Sequence, residues 1–467
     1  MPRVSPLAVT FLAALLSVPS ALAQSPAPTP PMGPPMGPPM GWNSWDSYGL
    51  TIDEADYRAN TAVLAGLRPY GWTYSVIDEG WYMQDPFAPT VPTRKYVWDA
   101  NGILIPAVDR FPSAANGQGF KPLADWVHAQ GLKFGIHIIR GIPREVVHLN
   151  LPVAGSSFHA QDAADLAATC PWDEGNYGVA DNPAGQAYYD SMLKLYAAWG
   201  LDFIKVDCIS DHPYRPTEIR QIAEAIRKTG RPILLSLSPG PTQLAHVAEI
   251  QKYAQMWRIT NDHWDSWQFP HPTPDGFPFG LQDEFDMLAR WSAYTGPGSW
   301  PDPDMLPEGV LAPHPGWGQP RTSRYTQDEQ RTEFTLWAIS RSPLIMGANL
   351  TRLDPFTRSL MSNEEVLRLN QTAVESHPGE LPADPAARQS YPQRYWVART
   401  GGPHPHTYIA VFNLADAPTK ADLPWMIFHL PNAPHALYNV WEKQHIPAAS
   451  SLHVQLPAHG CALFRLE

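Results

Sequence analysis

The chain has 467 residues, a formal net charge of −12 at pH 7 and an apolar fraction of 44%. It contains no run of lysine and arginine, which argues against nucleic acid as a partner, because phosphate backbones are bound by clustered basic side chains. Its length predicts one large domain followed by a smaller one, and the apolar fraction is sufficient for a core in each.

The N-terminus has the three parts of a secretory signal peptide. Arg3 precedes an apolar run from Leu7 to Val18, and Ala21-Leu22-Ala23 provides a small-residue cleavage site before Gln24. The apolar run is too short for a membrane span, and no later stretch qualifies as one. We therefore expect residues 1–23 to be removed on export and the mature protein to be secreted or periplasmic, without a membrane partner.

Residues 24–38 are low in complexity and rich in proline, with a repeated Pro-Met-Gly-Pro segment. Such a composition favours an extended polyproline-like conformation and cannot bury a core. We interpret this stretch as a linker that precedes the first folded domain.

After the linker one pattern recurs: an amphipathic run, a glycine, a short apolar stretch and then polar residues. Ala55–Tyr70 shows helical periodicity, Gly71 ends it, and the apolar stretch Trp72–Ile77 follows. The eight predicted strands are Gly41–Trp45, Trp72–Ile77, Leu132–Ile136, Leu201–Val206, Pro232–Ser238, Gln255–Asn261, Gly298–Asp302 and Leu344–Met346. Eight such units predict an α/β fold, a (β/α)8 TIM barrel over residues 39–375, in which Gly141–Asn182 is a long active-site loop.

Beyond the barrel the pattern changes to short stretches in which apolar and polar residues alternate. These stretches are Arg394–Arg399, Thr407–Asn413, His435–Trp441 and Cys461–Arg465. Alternation with a period of two is typical of strands that bury one face. We predict a C-terminal antiparallel β-sandwich domain over residues 385–467.

Polar side chains follow most of the predicted barrel strands. They are Trp45, Asp78, Glu79, His137, Lys205, Asp207, Asp262 and Asp304. The carboxyl ends of the strands in such a barrel face one opening, where active sites are built. Hydrolysis of a glycosidic bond needs two carboxyl groups, and Asp207 and Asp262 are the best pair, since each follows an apolar stretch.

A cation lies close in sequence to each of these two aspartates, Lys205 to Asp207 and Arg258 to Asp262. Lys205 would keep Asp207 ionised, as a nucleophile requires. Asp262 would have to be protonated at the start of the cycle, so we expect tryptophan neighbours such as Trp264 and negative charge across the site to raise its pKa.

Each candidate also has a purely structural interpretation. An aspartate at a strand end is often a helix N-cap, which applies to Asp207 and Asp262, and Asp304 could form a turn. His137 could be a structural histidine. Lys205 is harder to explain in this way, because a lysine inside an apolar strand needs a partner.

Six segments together resemble a known family. They are Pro39–Trp45, Ile77–Trp81, Gly131–Ile136, Lys205–Cys208, Trp257–Trp267 and Trp300–Leu306. Taken in this order over roughly residues 38–370, they resemble glycoside hydrolase family 27, the α-galactosidase or melibiase family of clan D. The β-domain resembles the C-terminal domain of that family. Each segment alone is weak, whereas the set is highly specific.

The resemblance implies a retaining mechanism with Asp207 as the nucleophile and Asp262 as the general acid/base. Sugar contacts are implied for Trp45, Asp78, Glu79, Lys205, Arg258 and Asp304. A disulfide between Cys170 and Cys208 is also implied, which leaves Cys461 as a free thiol. The implied partners are galactose- or arabinopyranose-containing oligosaccharides and polysaccharides, and no metal or cofactor is expected.

The chain departs from the family at positions that are expected to touch the sugar. Glu79 stands where the family usually has aspartate, His137 where it has tyrosine, and Leu237-Ser238-Pro239 where many members have Cys-Glu-Trp. We therefore add His137 and Ser238 to the substrate-binding candidates. Glu79 is one methylene longer than aspartate, and a pocket crowded at C6 would favour β-L-arabinopyranose, which is D-galactose without the C6 hydroxymethyl group.

Three functional hypotheses follow. The first is a secreted, exo-acting, retaining α-galactosidase. The second is a β-L-arabinopyranosidase, or an enzyme with both activities, on the same scaffold. The third is a catalytically silent carbohydrate-binding protein, against which the presence of both carboxylates argues. The sequence predicts no oligomeric state.

Overall fold

A computed structural model describes residues 37–87, 94–270, 276–311, 319–379 and 393–467. The expected signal peptide 1–23 lies outside these ranges, as does all of the linker except its last two residues. Among the helices of the described ranges, none is both long and apolar enough to cross a membrane.

Eight parallel strands form the predicted barrel. Their bounds are Met40–Asn43, Tyr74–Ile77, Lys133–Ile139, Phe203–Asp207, Leu234–Leu237, Met256–Arg258, Trp300–Asp302 and Leu344–Met346. Consecutive strands pair from the first to the seventh, and the first also pairs with the eighth. A bridge between Leu306, which follows the seventh strand, and Met346 of the eighth strand completes the ring. The barrel is therefore confirmed, with strands slightly shorter than or shifted from the predicted ones.

The first strand shows why its sequence is constrained. A Cβ atom at Gly41 would lie 2.3 Å from the backbone oxygen of Tyr74 on the neighbouring strand, so only glycine fits there. The strand ends at Asn43 rather than at Trp45, because Trp45–Tyr48 forms a short helix whose first N–H is bound by the Asn43 side chain at 2.8 Å.

Helices surround the barrel in the expected order. The principal ones are Glu54–Leu67, Lys121–Ala129, Pro183–Trp199, Pro216–Thr229, Val247–Tyr253, Leu281–Trp291, Gln327–Ser340, Pro355–Met361 and Glu364–Thr372. Gly200 ends its helix in the left-handed conformation, with φ of 98°. Thr326 and Glu329 form the expected capping box.

The segment Gly141–Asn182 was predicted as a loop, but it contains structure of its own. Three short strands, Ile142–Pro143, Asn176–Val179 and Ala164–Thr169, form a small sheet there. Two short helices, Arg144–His148 and Ala160–Ala163, lie between the strands in sequence. The alternation in these strands is too short for the sequence to reveal them.

The C-terminal domain is an antiparallel sandwich, as predicted. The larger sheet contains, in spatial order, Ala373–Pro378, Gln393–Thr400, Thr407–Asn413, Cys461–Leu466, His435–Asn439 and Gln444–Ala449. A second sheet pairs Thr419–Pro424 with Ser451–Leu456. A separate apolar cluster fills this domain, with Ile409 and Val411 from one sheet and Leu423 and Leu452 from the other.

The domain starts earlier than residue 385, because Ala373–Pro378 pairs with Gln393–Thr400 in its larger sheet. The sequence AVESHP has no alternation of apolar residues, so nothing in it indicated a strand. The helix Gln327–Ser340 connects the two domains. Its Thr335 hydroxyl accepts a hydrogen bond from Trp441 Nε1 at 2.9 Å, and its Glu329 binds His459 at 2.7 Å.

Candidate active site

A cavity of about 450 Å³ lies at the carboxyl ends of the barrel strands. The predicted residues on its wall are Trp45, Asp78, Glu79, Lys205, Asp207, Ser238, Arg258, Asp262 and Asp304. His137 is not on the wall. The structure thus brings the two catalytic candidates and most of the binding candidates into one cavity.

The alternation of side chains along the fourth strand explains part of this assembly. Phe203 packs in the barrel interior, whereas Ile204 and Val206 pack in the layer between strands and helices. Lys205 and Asp207 therefore face the interior with Phe203. Equivalent inward positions at the ends of other strands are held by Asp78, His137, Ser238 and Arg258.

Asp207 is the last residue of its strand, and its side chain is 19% exposed. Its Oδ1 accepts the N–H of Cys208 at 2.7 Å, and its Oδ2 lies 3.5 Å from His137 Nε2. Burial acts to raise the pKa of Asp207, but His137, Lys205 and the Cys208 N–H together lower it below the usual value. A carboxylate that stays ionised and open to the cavity can act as a nucleophile.

His137 lies beside Asp207 and is not among the residues that line the cavity. In the strand register His137 pairs with Lys205, whereas Ile139 is level with Asp207. His137 is therefore level with Lys205, and it is almost fully buried. Its contact is with the carboxylate and not with the cavity.

Lys205 has the partner that a buried lysine requires. Its Nζ donates to Asp78 Oδ2 at 3.0 Å, and the Asn43 side chain donates to the same oxygen at 2.7 Å. Burial alone would raise the pKa of Asp78 and lower that of Lys205. The ion pair outweighs burial for both groups, so the pKa of Asp78 is lowered and the pKa of Lys205 is raised.

Asp262 shares its cation with a second carboxylate. Arg258 lies 2.7 Å from Asp304 Oδ2 and 3.4 Å from Asp262 Oδ1. Burial raises the pKa of Asp262 to about 6, with Arg258 acting to lower it and Asp304 and Asp207 acting to raise it. The expected increase in pKa is thus present, and Asp262 has the protonation behaviour of a general acid.

Glu79 belongs to a cluster that the sequence did not indicate. Arg94 Nη1 lies 3.6 Å from Glu79 Oε1 and 3.5 Å from Asp173 Oδ2, and Tyr96 donates to Asp173 at 3.4 Å. Burial and the charge of Asp173 raise the pKa of Glu79 well above its usual value. Burial thus favours the protonated form of Glu79, and a protonated carboxyl group can donate as well as accept a hydrogen bond.

Asp46 is a further wall residue that the sequence did not single out. It is buried, and its Oδ2 has no hydrogen-bond partner in the described part of the chain. Burial, with Asp304 nearby, raises the pKa of Asp46 well above the usual value. A Cβ atom at Gly347 would lie 1.8 Å from this oxygen, so the glycine leaves the space that Asp46 occupies.

The implied disulfide between Cys170 and Cys208 is present, with Cα atoms 5.9 Å apart. Cys208 follows Asp207 directly and has a left-handed backbone, with φ of 61°. The bond attaches the segment between the third and fourth strands to the end of the strand that carries Asp207. Cys461 is a free thiol that donates to Thr335.

A buried network lies behind the acid/base candidate. The His263 N–H donates to Asp304 Oδ2 at 3.0 Å, and His263 Nε2 lies 2.6 Å from Glu333 Oε1. Glu284 lies 3.3 Å from the other ring nitrogen. Burial lowers the pKa of His263 to about 3 and raises the pKa of both glutamates well above normal. The network thus fixes the residue next to Asp262.

The described ranges contain no group of three or more histidine, cysteine, aspartate or glutamate side chains that could hold a metal ion. What the wall does offer is a dense set of hydrogen-bond donors and acceptors, together with carboxyl groups whose pKa values are shifted in opposite directions. Such a wall suits a polyhydroxylated ligand.

Comparison with known proteins identifies the family. The family profile described as alpha galactosidase A matches residues 162–372, and that of the alpha galactosidase C-terminal beta sandwich domain matches residues 392–466. A β-L-arabinopyranosidase of Geobacillus stearothermophilus, of glycoside hydrolase family 27, has a solved structure that is 39% identical with a TM-score of 0.85, covering 92% of this chain and 97% of that one. The chain belongs to glycoside hydrolase family 27.

Two other relatives of this family 27 glycoside hydrolase carry different names. A protein of Bacillus halodurans, described as a putative α-N-acetylgalactosaminidase, is 36% identical over 93% of this chain and 99% of that one, with a TM-score of 0.79. Alpha-galactosidase A of Cellvibrio japonicus is 27% identical over 91% of each chain. The family thus contains relatives that differ in the sugar they are named for.

In this family 27 enzyme, the residues that the sequence missed have a common feature. Arg94 and Asp173 lie in connections between strands rather than at strand ends, and Asp46 lies in a single-turn helix. The end of a strand can be predicted from the apolar stretch before it. The position of a residue in a connection relative to the cavity is known only from the folded structure.

Proposed function

We propose that the protein is a retaining exo-glycosidase that removes terminal β-L-arabinopyranosyl residues, with Asp207 as the nucleophile and Asp262 as the acid/base. The observation that carries the chemistry is the opposite pKa shift of the two carboxyl groups on one cavity wall. Environments that push two carboxyl groups apart in pKa assign their acid and base roles.

The reaction proceeds in two displacements. Asp207 attacks the anomeric carbon while Asp262 gives its proton to the glycosidic oxygen, so the glycosidic bond breaks and the leaving group departs as an alcohol. The sugar is then an ester of Asp207. Asp262, now ionised, takes a proton from a water molecule that attacks the same carbon, and Asp207 leaves as a carboxylate with the anomeric configuration retained.

Two ion pairs organise the wall for this reaction. Lys205 and Asp78 are both charged and nearly buried, so they present fixed donors and acceptors to ring hydroxyl groups. Arg258 and Asp304 do the same beside Asp262. Because the wall is preorganised, it need not rearrange as charge develops at the anomeric centre.

Exo action is supported by the gradient of burial along the cavity. Asp78, Arg258 and Asp304 are all at most 5% exposed and form a closed base. A closed base accepts the end of a chain but not its middle. We place the terminal sugar there and the rest of the substrate toward the opening.

Glu79 supports the choice of sugar. The family resemblance implies an aspartate at this position, and Glu79 is held on the wall by Arg94, whose other neighbour is Asp173. The longer side chain takes up space that a C6 hydroxymethyl group would need. β-L-Arabinopyranose lacks this group and otherwise has the hydroxyl arrangement of D-galactose. The similarity to the Geobacillus β-L-arabinopyranosidase agrees with this choice.

α-D-Galactosides are the second candidate substrates. This candidate is supported by relatives that are named α-galactosidases. One of them, from Cellvibrio japonicus, is similar to this chain over 91% of its length. The two sugars differ only at C6, so the choice between them depends on the residues expected near that group, of which Glu79 and Ser238 line the cavity.

The test is a pair of 4-nitrophenyl glycosides, the β-L-arabinopyranoside and the α-D-galactoside. We expect a higher kcat/KM for the arabinoside, no turnover by Asp207→Ala, and a shift of Glu79→Asp toward the galactoside. A galactoside preference in the wild type would reverse the order of the two candidates. Turnover that survives Asp207→Ala would overturn the mechanism.

Export is part of the proposal. The features of residues 1–23 support a cleaved signal peptide and a location outside the cytoplasm. N-terminal sequencing of protein recovered from the producing cells should begin at Gln24, and an N-terminus at Met1 or Pro2 would argue against export.

A further inference from the structure

One aromatic side chain on the cavity wall has no part in the reaction described above. Trp172 lines the cavity, yet it is 46% exposed. Among the described residues, the other large apolar side chains with comparable exposure do not line this cavity: they are Phe87, Val108, Leu149, Leu166, Leu244, Val374 and Met426. An indole ring is costly to leave in water, so its position at the opening calls for an explanation.

Trp172 is held between two fixed residues. Cys170, two positions before it, is bonded to Cys208 at the end of the fourth strand. Asp173, directly after it, is 3% exposed and accepts the Gly175 N–H at 2.7 Å in addition to its contacts with Arg94 and Tyr96. The backbone on both sides of Trp172 is therefore anchored, and the ring is presented at the opening rather than left to pack elsewhere.

A second ring orients Trp172. The His212 imidazole meets the indole edge to face, with centroids 6.3 Å apart and planes at 77°. His212 itself has a left-handed backbone, with φ of 61°, which is uncommon for a residue other than glycine. His212 also lines the cavity. Trp172 therefore has a preferred orientation and keeps nearly half of its surface available.

We propose that Trp172 is the stacking platform of a leaving-group subsite, which binds the sugar ring to which the terminal glycosyl unit is attached. This inference rests on the proposed function, because it places the terminal sugar at the buried base of the cavity. The leaving group must then point toward the opening, where Trp172 stands. The apolar face of a pyranose ring is the surface that an exposed indole can cover.

The subsite sets the substrate class. An enzyme that acted on free glycosides with small leaving groups would gain nothing from the platform. The natural substrate is therefore an oligosaccharide or polysaccharide in which the terminal residue is carried by another pyranose. Nothing in the mechanism requires Trp172, so its contribution depends on the leaving group alone.

The experiment compares leaving groups in three variants. Trp172→Ala removes the platform, Trp172→Phe keeps an aromatic face, and Leu166→Ala removes another exposed apolar side chain from the same segment, away from the cavity. Each is assayed with the glycosyl fluoride, which has nothing to stack, and with an oligosaccharide that carries the same terminal sugar. Both the β-L-arabinopyranosyl and the α-D-galactosyl series are used.

We expect Trp172→Ala to lower kcat/KM for the oligosaccharide about tenfold, or about 1.4 kcal/mol, mainly through KM. The fluoride should change less than twofold, Trp172→Phe should recover most of the loss, and Leu166→Ala should match the wild type. An unchanged oligosaccharide rate would overturn the subsite, as would an equal loss on the fluoride, which would instead indicate a structural role. A wild-type protein inactive on both fluorides would refute the proposed function as well.

Discussion

Asp262 offers the sharpest test of the mechanism, because its pKa sets the alkaline limit of activity. The acid must be protonated when the substrate binds, so kcat/KM should fall tenfold per pH unit above about pH 6. Asp207 must be ionised, and its pKa is lowered, so the acid limit should lie below the usual aspartate value. The profile should therefore be a bell whose optimum lies on the acid side of neutrality.

The shift has a calculable effect. At pH 5 a carboxyl group with a pKa of about 6 is about 90% protonated, whereas an aspartate with an unperturbed pKa near 3.9 is only about 7% protonated. The environment of Asp262 therefore increases the active fraction at pH 5 by more than tenfold. Burial supplies this increase first, and the nearby Asp304 and Asp207 add to it.

The assay combines the pH profile with Asp262→Asn and two leaving groups. A 2,4-dinitrophenyl glycoside departs without a proton, whereas a sugar alcohol needs one. We expect Asp262→Asn to slow the oligosaccharide by about 10²–10⁴-fold and to affect the dinitrophenyl glycoside much less in the first displacement. The alkaline limb should disappear for the variant. Asp181→Asn, at an exposed surface ion pair, is the matched control and should leave the profile unchanged.

Two results would refute this reasoning. An alkaline limb with an apparent pKa near 4 would show that the site does not raise the pKa of Asp262. An equal loss on both leaving groups would show that Asp262 acts in binding or folding rather than by proton transfer.

Two predictions concern stability. The Cys170–Cys208 bond spans 38 residues, so a Cys170→Ala/Cys208→Ala variant should lose about 4 kcal/mol of unfolding free energy in a denaturant titration, and an unchanged midpoint would exclude a stabilising role. Burial raises the pKa of Glu308 to about 8, with the carboxyl group of Glu333 interacting with it. Since this folded-state pKa exceeds the unfolded one, its contribution is present below about pH 4.3 and is lost as the pH rises toward 8. Glu308→Gln should therefore reduce the decrease in Tm between pH 5 and pH 8, and an identical decrease would contradict a protonated Glu308.

The barrel could be predicted because its signals are local. The glycine at position 200 adopts the left-handed cap conformation that its place after an amphipathic run indicated. Asp207 ends a strand whose apolar residues were visible, and period-two alternation carries Lys205 to the same side. These features depend on a few consecutive residues, so they can be recognised in the sequence without knowledge of the fold.

The cluster of Glu79, Arg94 and Asp173 on the cavity wall could not be predicted, because it depends on contacts between distant segments. Arg94 reaches Asp173 across 79 positions of sequence, and neither residue follows a strand. His137 pairs in register with Lys205, yet Lys205 lines the cavity and His137 does not. This difference depends on the packing around each side chain and not on the third strand alone.

The two catalytic candidates differ in how strongly a nearby cation lowers the pKa of each carboxyl group. Lys205 lies near Asp207, which also receives the Cys208 N–H and the His137 contact, and these donors together outweigh burial. Arg258 is the cation beside Asp262, but it lies 2.7 Å from Asp304 and 3.4 Å from Asp262, so most of its charge is already balanced. Asp304 therefore has two effects. It lies closer to the Arg258 guanidinium than Asp262 does, and its negative charge raises the pKa of Asp262. Burial first, and then the negative charges of Asp304 and Asp207, raise the pKa of Asp262 and favour its role as a proton donor.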